Sequence, residues 1–383
     1  MTERYILYGM AGSLYTAKVR AYLRRNLIPF DEQKAGGERF LGHVVPKIRR
    51  WIIPVIETPD GELLQDGTDI LDHFERGGFS ENSIYPETPI TRAAANLFEL
   101  FGNEGLLRPA MHYRWNFDDV NLPFLRNMFR DVLPNGLSDD ARKAAFDQVS
   151  GRMRKVTEGW GVTPQNFAAV EESYADFLAR FDAHLRHTPF LLGGHPTIGD
   201  YALLGPLYPH LGRDPAPLHL MQQTAPHVFR WTERMNMPET FIDEETVAAG
   251  GKLFADDAIP ETLKSLMRFV AAEYLPEITA QIAAANDWLT EHSEIAPGTS
   301  GLENPATREI CTTTFNWRGQ EIGTSVFLYR FYLLQRLQDA VQKMDEAGQK
   351  GVRALFAETG LEPILELKAS RRVERKNYLE VWG

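Results

Sequence analysis

Ser13-Leu14-Tyr15-Thr16-Ala17-Lys18-Val19-Arg20 stands between a short β-favouring run, Tyr5 to Tyr8, and a segment in which Val19, Tyr22 and Leu23 recur at helical spacing. The octapeptide therefore reads as the junction of a strand with a helix that runs from Tyr15 to Arg25 and ends at Pro29. A hydroxyl at such a junction lies beside the unpaired amides and positive dipole end of the helix, a setting that lowers the pKa of a bound thiol. Gly9, Ala11 and Gly12, just before it, would let backbone approach a ligand closely. A Ser near a helix start is usually an N-cap alone, and the octapeptide by itself favours that reading over a catalytic one.

Downstream, Phe30 to Gln33 reads as a second strand and Trp51 to Ile56, rich in β-branched residues, as a third. Pro59-Asp60-Gly61 is a turn signal that makes Val55-Ile56-Glu57 and Leu63-Leu64-Gln65 an antiparallel hairpin. Thr68 to Phe74 resumes helical spacing and Gly77-Gly78 stops it, so a βαβ-ββα unit is complete by residue 78. Pro54 removes a ladder donor and belongs at the strand start or in a bend. A cis bond at Ile53-Pro54 would turn the Ile53 amide and carbonyl outward to an extended peptide, whereas base rates favour trans. In Gln65-Asp66-Gly67-Thr68-Asp69-Ile70, Asp66 or Thr68 caps the next helix, and first-turn amides left free can hold a carboxylate.

Gly, Ser, Asn and Pro mark a linker near residues 77–89, beyond which no alternating pattern is apparent. Helices are expected at 91–112, 139–157, 166–186, 198–211, 224–236, 260–291 and 320–347, with a short one near 350–357. Breaks fall at Pro134-Asn135-Gly136 and Ala296-Pro297-Gly298. At 383 residues the chain needs two or three domains of about 150 residues each.

A net charge of -11, from 52 acidic and 41 basic residues, repels phosphate backbones and anionic headgroups, so neither nucleic acid nor membrane is an expected partner. Met1 to Met10 lacks a signal-peptide pattern and no run of about 18 apolar residues occurs, which leads to the expectation of a cytoplasmic protein. The single cysteine, Cys311, excludes an intrachain disulfide and reads as a small buried hydrophobe. His184 and His187 share a helix face but gather no third ligand, so no metal is expected; they read as partly protonated imidazoles in the last turn of a helix ended by Pro189.

In order and spacing, the three amino-terminal motifs resemble the first domain of the glutathione transferase superfamily and are similar to those of type 2 prostaglandin E synthase and glutaredoxins. There a Cys/Ser-Pro-Tyr/Phe-x-x-Lys/Arg-Val-Arg helix start precedes an Ile/Val-Pro-Val-Ile/Leu strand and a Glu/Asp-Ser-Thr-x-Ile turn. Aligning Lys18-Val19-Arg20 places Ser13 at the catalytic Ser or Cys and Tyr15 at the aromatic position. Pro54 then matches the cis-proline, and the Ile53 peptide would bind the cysteinyl backbone of glutathione. Asp66 matches the acidic residue, and Gly67 stands where Ser is usual, leaving the Gly67 amide and the Thr68 hydroxyl for the γ-glutamyl carboxylate. Leu14 departs from the usual Pro.

Phe190-Leu191-Leu192-Gly193-Gly194-His195-Pro196-Thr197-Ile198-Gly199-Asp200, with a Thr197 to Asp200 capping box, and Pro226 to Met235 resemble segments of the family's helical half. The resemblance implies an α/β thioredoxin-like domain (1–78), a linker (79–90), an all-α glutathione-transferase C-terminal domain (91–238, with an insertion at about 113–160) and a helical extension (239–383). It also implies glutathione as co-substrate, a hydrophobic electrophilic acceptor, detoxification and a homodimer.

Tyr113, Arg114 and Trp115 either touch that acceptor or pack the insertion against the bundle. No chemistry is assigned to Phe315-Asn316-Trp317-Arg318-Gly319-Gln320. Three functions compete: a transferase in which Ser13 holds the glutathione thiolate, a non-catalytic or regulatory protein on the same fold, and a glutathione-dependent isomerase or ether-cleaving enzyme. Without a cysteine at position 13, disulfide exchange through the protein is disfavoured.

Overall fold

The computed structural model describes residues 4–130, 132–133, 136–238, 251–304 and 306–383. Strands β1 (Tyr5–Gly9), β2 (Phe30–Lys34), β3 (Val55–Glu57) and β4 (Leu63–Gln65) form one sheet in the order β2-β1-β3-β4. β1 and β2 are parallel, while β3 runs antiparallel to both β1 and β4. Because successive strand residues point to opposite faces, Leu7 and Ile56 join the main core, where α1 (Leu14–Arg25) and α3 (Gly67–Arg76) pack. Tyr8 and Val55 join a second cluster with Phe40, Val44 and Ile48, around α2 (Val45–Ile48). This is the βαβ-ββα unit expected from the motifs.

The helical half contains α4 (Pro89–Leu100), α5 (Leu107–Trp115), α6 (Asp118–Arg130), α7 (Asp139–Gly159), α8 (Phe167–Leu185), α9 (Ile198–Leu207), α10 (Pro215–Thr224) and α11 (Pro226–Asn236). Every residue of α9 is buried, and the helix packs against α1 and α4. The capping box is formed: Asp200, fully buried, accepts from the Thr197 amide (2.8 Å) and hydroxyl (3.0 Å), and also from the Leu191 amide (2.8 Å) and Trp231 Nε1 (3.2 Å). One carboxylate thus ties together a turn and two helices.

Beyond residue 250 the described chain forms α12 (Glu261–Glu273), α13 (Leu275–Glu291), β5 (Glu309–Trp317), β6 (Gln320–Phe327), α14 (Leu328–Gln342), α15 (Glu346–Thr359), β7 (Val373–Lys376) and β8 (Leu379–Trp382). Two hairpins interrupt the expected helical extension, and the first takes up the start of the helix expected at 320–347. Residues 320–327 were read as the start of a helix, but β-branched and aromatic residues on both arms, joined by Arg318 (φ 48°) and Gly319 (φ 77°), favour a two-residue turn. Asn377 (φ 50°) and Tyr378 (φ 66°) make the same kind of turn in the second hairpin.

The helix expected at 260–291 is two helices, since Pro276 lacks an amide and starts a new one. That at 91–112 is interrupted by a π-helical turn, Phe101–Gly105. α6 and α10 were not foreseen; Pro123 in one and Pro215 and Pro217 in the other obscured their period. Of the break at 134–136, Pro134 and Asn135 lie outside the described residues, as do residues 239–250 at the start of the expected extension.

The histidine reading is corrected. His184 does lie in the last turn of α8, but it is fully buried, and burial holds its pKa down at about 4, so the ring is neutral rather than partly protonated. Among the described residues, no group of three or more His, Cys, Asp or Glu is placed to hold a metal ion, and no helix is long and apolar enough to cross a membrane.

Candidate functional site

The strand register brings the three motifs to one end of the sheet. Tyr8 pairs with Val55, so the residues leaving β1 lie beside Ile53-Pro54, and Val55 pairs with Gln65, which sets Asp66-Gly67 beside them on the other side. The Ile53-Pro54 bond is cis. No hydrogen bond within the described residues engages the Ile53 amide or carbonyl or the Gly67 amide.

Ser13 is the N-cap of α1: its Oγ accepts from the Thr16 amide at 3.2 Å, and its O–H proton meets no acceptor among the described residues. The loop before it is held from outside, with Arg114 Nη1 donating to the Gly12 carbonyl (2.8 Å) and Arg213 Nη1 to that of Ala11 (2.7 Å). The small residues of this loop make room for the protein's own side chains rather than for a ligand. A Cβ on Gly9 would lie 2.2 Å from Thr16 Cγ2, and one on Gly12 would lie 2.3 Å from Met128 Sδ.

Tyr15 donates to Glu104 Oε1 at 3.4 Å; burial and that carboxylate push the phenol pKa up, so it stays protonated. Glu104 in turn accepts from Arg330 Nε (2.9 Å), and Arg330 Nη1 reaches Glu277 (3.0 Å), which also binds Arg108 (2.5 Å). Burial opposes ionisation of Glu277, yet its two arginines hold its pKa below the ordinary value. Tyr15 is therefore the outer member of a buried ionic chain.

At the third motif, Asp66 caps α3 by accepting from the amides of Thr68 (2.8 Å) and Asp69 (3.4 Å), with its own φ at 90°. The Thr68 hydroxyl is fully buried, donating to Glu99 Oε1 (3.1 Å) and accepting from Lys18 Nζ (2.8 Å). Its single proton is spoken for.

The carboxy-terminal extension packs over this end of the sheet. Tyr329 donates to Asp66 Oδ1 (3.0 Å), Tyr332 to Asp69 Oδ1 (2.8 Å), and Arg336 to Asp72 and Glu99. Arg375 reaches Asp69 Oδ2 (3.1 Å) and the Gln65 side chain (2.6 Å), while Tyr378, like Ile52 and Ile53, packs against the core cluster that contains Tyr8 and Val55. Sequence reading missed these residues. Nothing local marks them, since each acquires its role from a partner more than 250 positions away.

The aromatic cluster at the end of α5 is internal. Tyr113 stacks on Phe117 (5.0 Å), Arg114 forms a buried ion pair with Asp214 (2.7 Å), and Trp115 is buried with Met128 and Phe129. Cys311 is half-buried on β5, where burial raises its thiol pKa.

Two family models match the chain: the glutathione S-transferase N-terminal domain over residues 7–77 and the glutathione S-transferase C-terminal domain over residues 164–234. No curated protein matches it. Among solved structures, a glutathione S-transferase from Rhodospirillum rubrum is 14% identical over 68% of this chain and 99% of its own, with a TM-score of 0.39. A beta-etherase from Sphingobium is 16% identical over 64% and 98%, with a TM-score of 0.44. A glutathione transferase from Phanerochaete chrysosporium is 16% identical over 63% and 99%, with a TM-score of 0.43.

Proposed function

Because this chain belongs to the glutathione transferase superfamily, we propose that it binds glutathione at the end of the sheet where Ser13, Ile53-Pro54 and Asp66-Gly67 converge. The observation that carries this reading is the set of backbone and hydroxyl groups there that have no partner among the described residues: the Ile53 amide and carbonyl, the Gly67 amide and the Ser13 O–H. In a protein where most polar groups find partners, unpaired donors and acceptors gathered at one place suit an extended peptide.

In this proposal the Ile53 peptide pairs with the cysteinyl backbone, and the Gly67 amide takes the γ-glutamyl carboxylate with Asp66 beside it. The Ser13 hydroxyl donates to the thiolate, which attacks a hydrophobic electrophile. Ser13 and the amino end of α1 would lower the thiol pKa, and binding would supply orientation. Tyr15 and Thr68 act through packing, since their hydroxyls serve Glu104 and Glu99. The reading takes residues 1–78 as the glutathione-binding domain and 91–238 as the helical domain. It includes a cytoplasmic location, a role in detoxification, and a homodimer formed away from the α3 face that the extension covers.

Calorimetric titration of the full chain with glutathione, with ultraviolet absorbance reporting the bound thiolate, tests it. Binding at millimolar glutathione or below is expected; its absence would overturn the proposal. A second reading, a non-catalytic or regulatory protein on the same fold, is favoured by the Tyr329 bond to Asp66. Binding of glutathione without thiolate absorbance would select it.

A further inference from the structure

Next to the converging motifs, the extension closes a small crevice with Arg50, Thr307, Arg308, Tyr329 and Glu380 in its walls. Two walls connect it to the candidate site. Arg50 directly precedes the Trp51 to Pro54 segment, and Tyr329 is the residue bound to Asp66. The crevice has a volume of about 10 Å³, near the room needed by one water-sized oxygen.

In its walls two arginines, Arg50 and Arg308, meet one carboxylate, Glu380, with Glu104 acting on Arg308 from beyond the walls. Glu380 is already shared: Arg50 donates to it at 2.9 and 3.2 Å, and Arg375 donates to it as well. Arg308 reaches it only at 4.0 Å. Burial opposes ionisation of Glu380, yet the surrounding arginines hold its pKa down at about 2. The Nε atoms of Arg50 and Arg308 are both buried and meet no acceptor among the described residues. Arg308 otherwise lies over the Tyr329 ring, 5.7 Å from its centroid. The Arg50 side chain is 3% exposed and that of Arg308 32%, and a buried Nε donor without an acceptor carries a desolvation cost that an anion would offset.

We propose that this crevice is an anion subsite in which Arg308, with Arg50, holds one oxygen of a carboxylate, and that this carboxylate belongs to the glutathione seated at Ile53. The identity of the ligand rests on the proposed function; the anion subsite does not. The extension then completes the peptide site, adding a cation where Gly67 provides no hydroxyl.

Two measurements on the full chain separate these claims. In the first, the melting temperature is followed as acetate is added, against the same concentration of chloride. Acetate is expected to stabilise the native chain and Arg308→Lys but not Arg308→Gln. No response, or an equal response in Arg308→Gln, would overturn the subsite whatever glutathione does. Among the described residues Arg308 makes no hydrogen bond, and its ion pair with Glu380 spans 4.0 Å, so both variants are expected to fold.

The second is calorimetric titration with three peptides: glutathione, its glycyl ethyl ester, and γ-aminobutyryl-cysteinylglycine, which lacks the γ-glutamyl carboxylate. Arg308→Gln is expected to weaken glutathione binding by about tenfold or more, the scale of a charge-assisted hydrogen bond. The peptide missing the relevant carboxylate should bind native and variant chains alike, which identifies the end held. Equal losses for all three would make Arg308 merely structural and overturn its role. If the native chain binds none of them, the proposed function fails while the acetate result still decides the subsite.

Discussion

The Tyr329 hydroxyl lies 3.0 Å from Oδ1 of Asp66, so a residue 263 positions downstream closes the amino-terminal cap of α3. Asp66 adopts a φ of 90°, a conformation that costs a non-glycine residue about 1–3 kcal/mol and persists only where its surroundings enforce it. The two amides of α3 and the Tyr329 hydroxyl supply that enforcement.

Tyr329→Phe keeps the ring and removes the hydroxyl alone. A hydrogen bond to a charged acceptor contributes about 1.5–3 kcal/mol, and a loss of that size is expected in urea denaturation with an unchanged slope. A variant as stable as the native chain would mean that the Asp66 cap is held by α3 itself.

Ser13→Ala separates the two roles of this residue. Loss of the N-cap on α1 is expected to cost about 0.5–2 kcal/mol in denaturation, independent of ligand. The proposed function adds a second effect: the pKa of bound glutathione, followed by thiolate absorbance against pH, should rise. A stability loss without a change in the thiol pKa would leave Ser13 as a cap only and pass the thiolate to backbone amides.

The first domain was legible because its signals are local. The β-favouring run at Tyr5 to Tyr8, the β-branched run at Trp51 to Ile56 and the Pro59-Asp60-Gly61 turn place the strands, and the segments at Ser13, Pro54 and Asp66 sit at the same end because short strands leave few registers. The Thr197 to Asp200 capping box was legible for the same reason. The cover over the site was not. Tyr329, Arg375 and Tyr378 have unremarkable neighbours in the sequence, and nothing near Thr68 in the sequence marks the Lys18 and Glu99 contacts that occupy its hydroxyl. Long-range ionic pairing follows no period, so it escapes pattern reading.

The ionic chain Glu104, Arg330, Glu277 and Arg108 joins α14 to α5, α13 and the turn after α4. Arg330→Met removes one cation and leaves Glu104 and part of Glu277 unneutralised in the interior. Breaking a buried pair from one side costs about 3–5 kcal/mol, so the variant should unfold at markedly lower urea. Recovery by the double change Arg330→Met, Glu104→Gln, which leaves Glu277 paired with Arg108, would show that stranded charge causes the loss; no recovery would assign it to packing.

The buried histidines make stability depend on pH with a definite sign. In the neutral ring of His184, Nε2–H donates to the Leu191 carbonyl (2.8 Å) and Nδ1 accepts from the Thr262 hydroxyl (2.9 Å), so a second proton would require that hydroxyl to turn from donor to acceptor. Burial lowers its pKa from 6.5 to about 4. His112 and His210 are lowered by burial as well. Between these values the unfolded chain binds more protons than the folded one. Stability from His184 is thus fully present above pH 6.5 and is lost as pH falls toward 4, in total about 3 kcal/mol. In that window each such histidine steepens the fall by up to about 1.4 kcal/mol per pH unit. Urea denaturation of His184→Gln across the same range should show a slope smaller by one histidine's share. An identical slope would mean that the ring is protonated in the folded chain, with the Leu191 and Thr262 contacts rearranged to admit it.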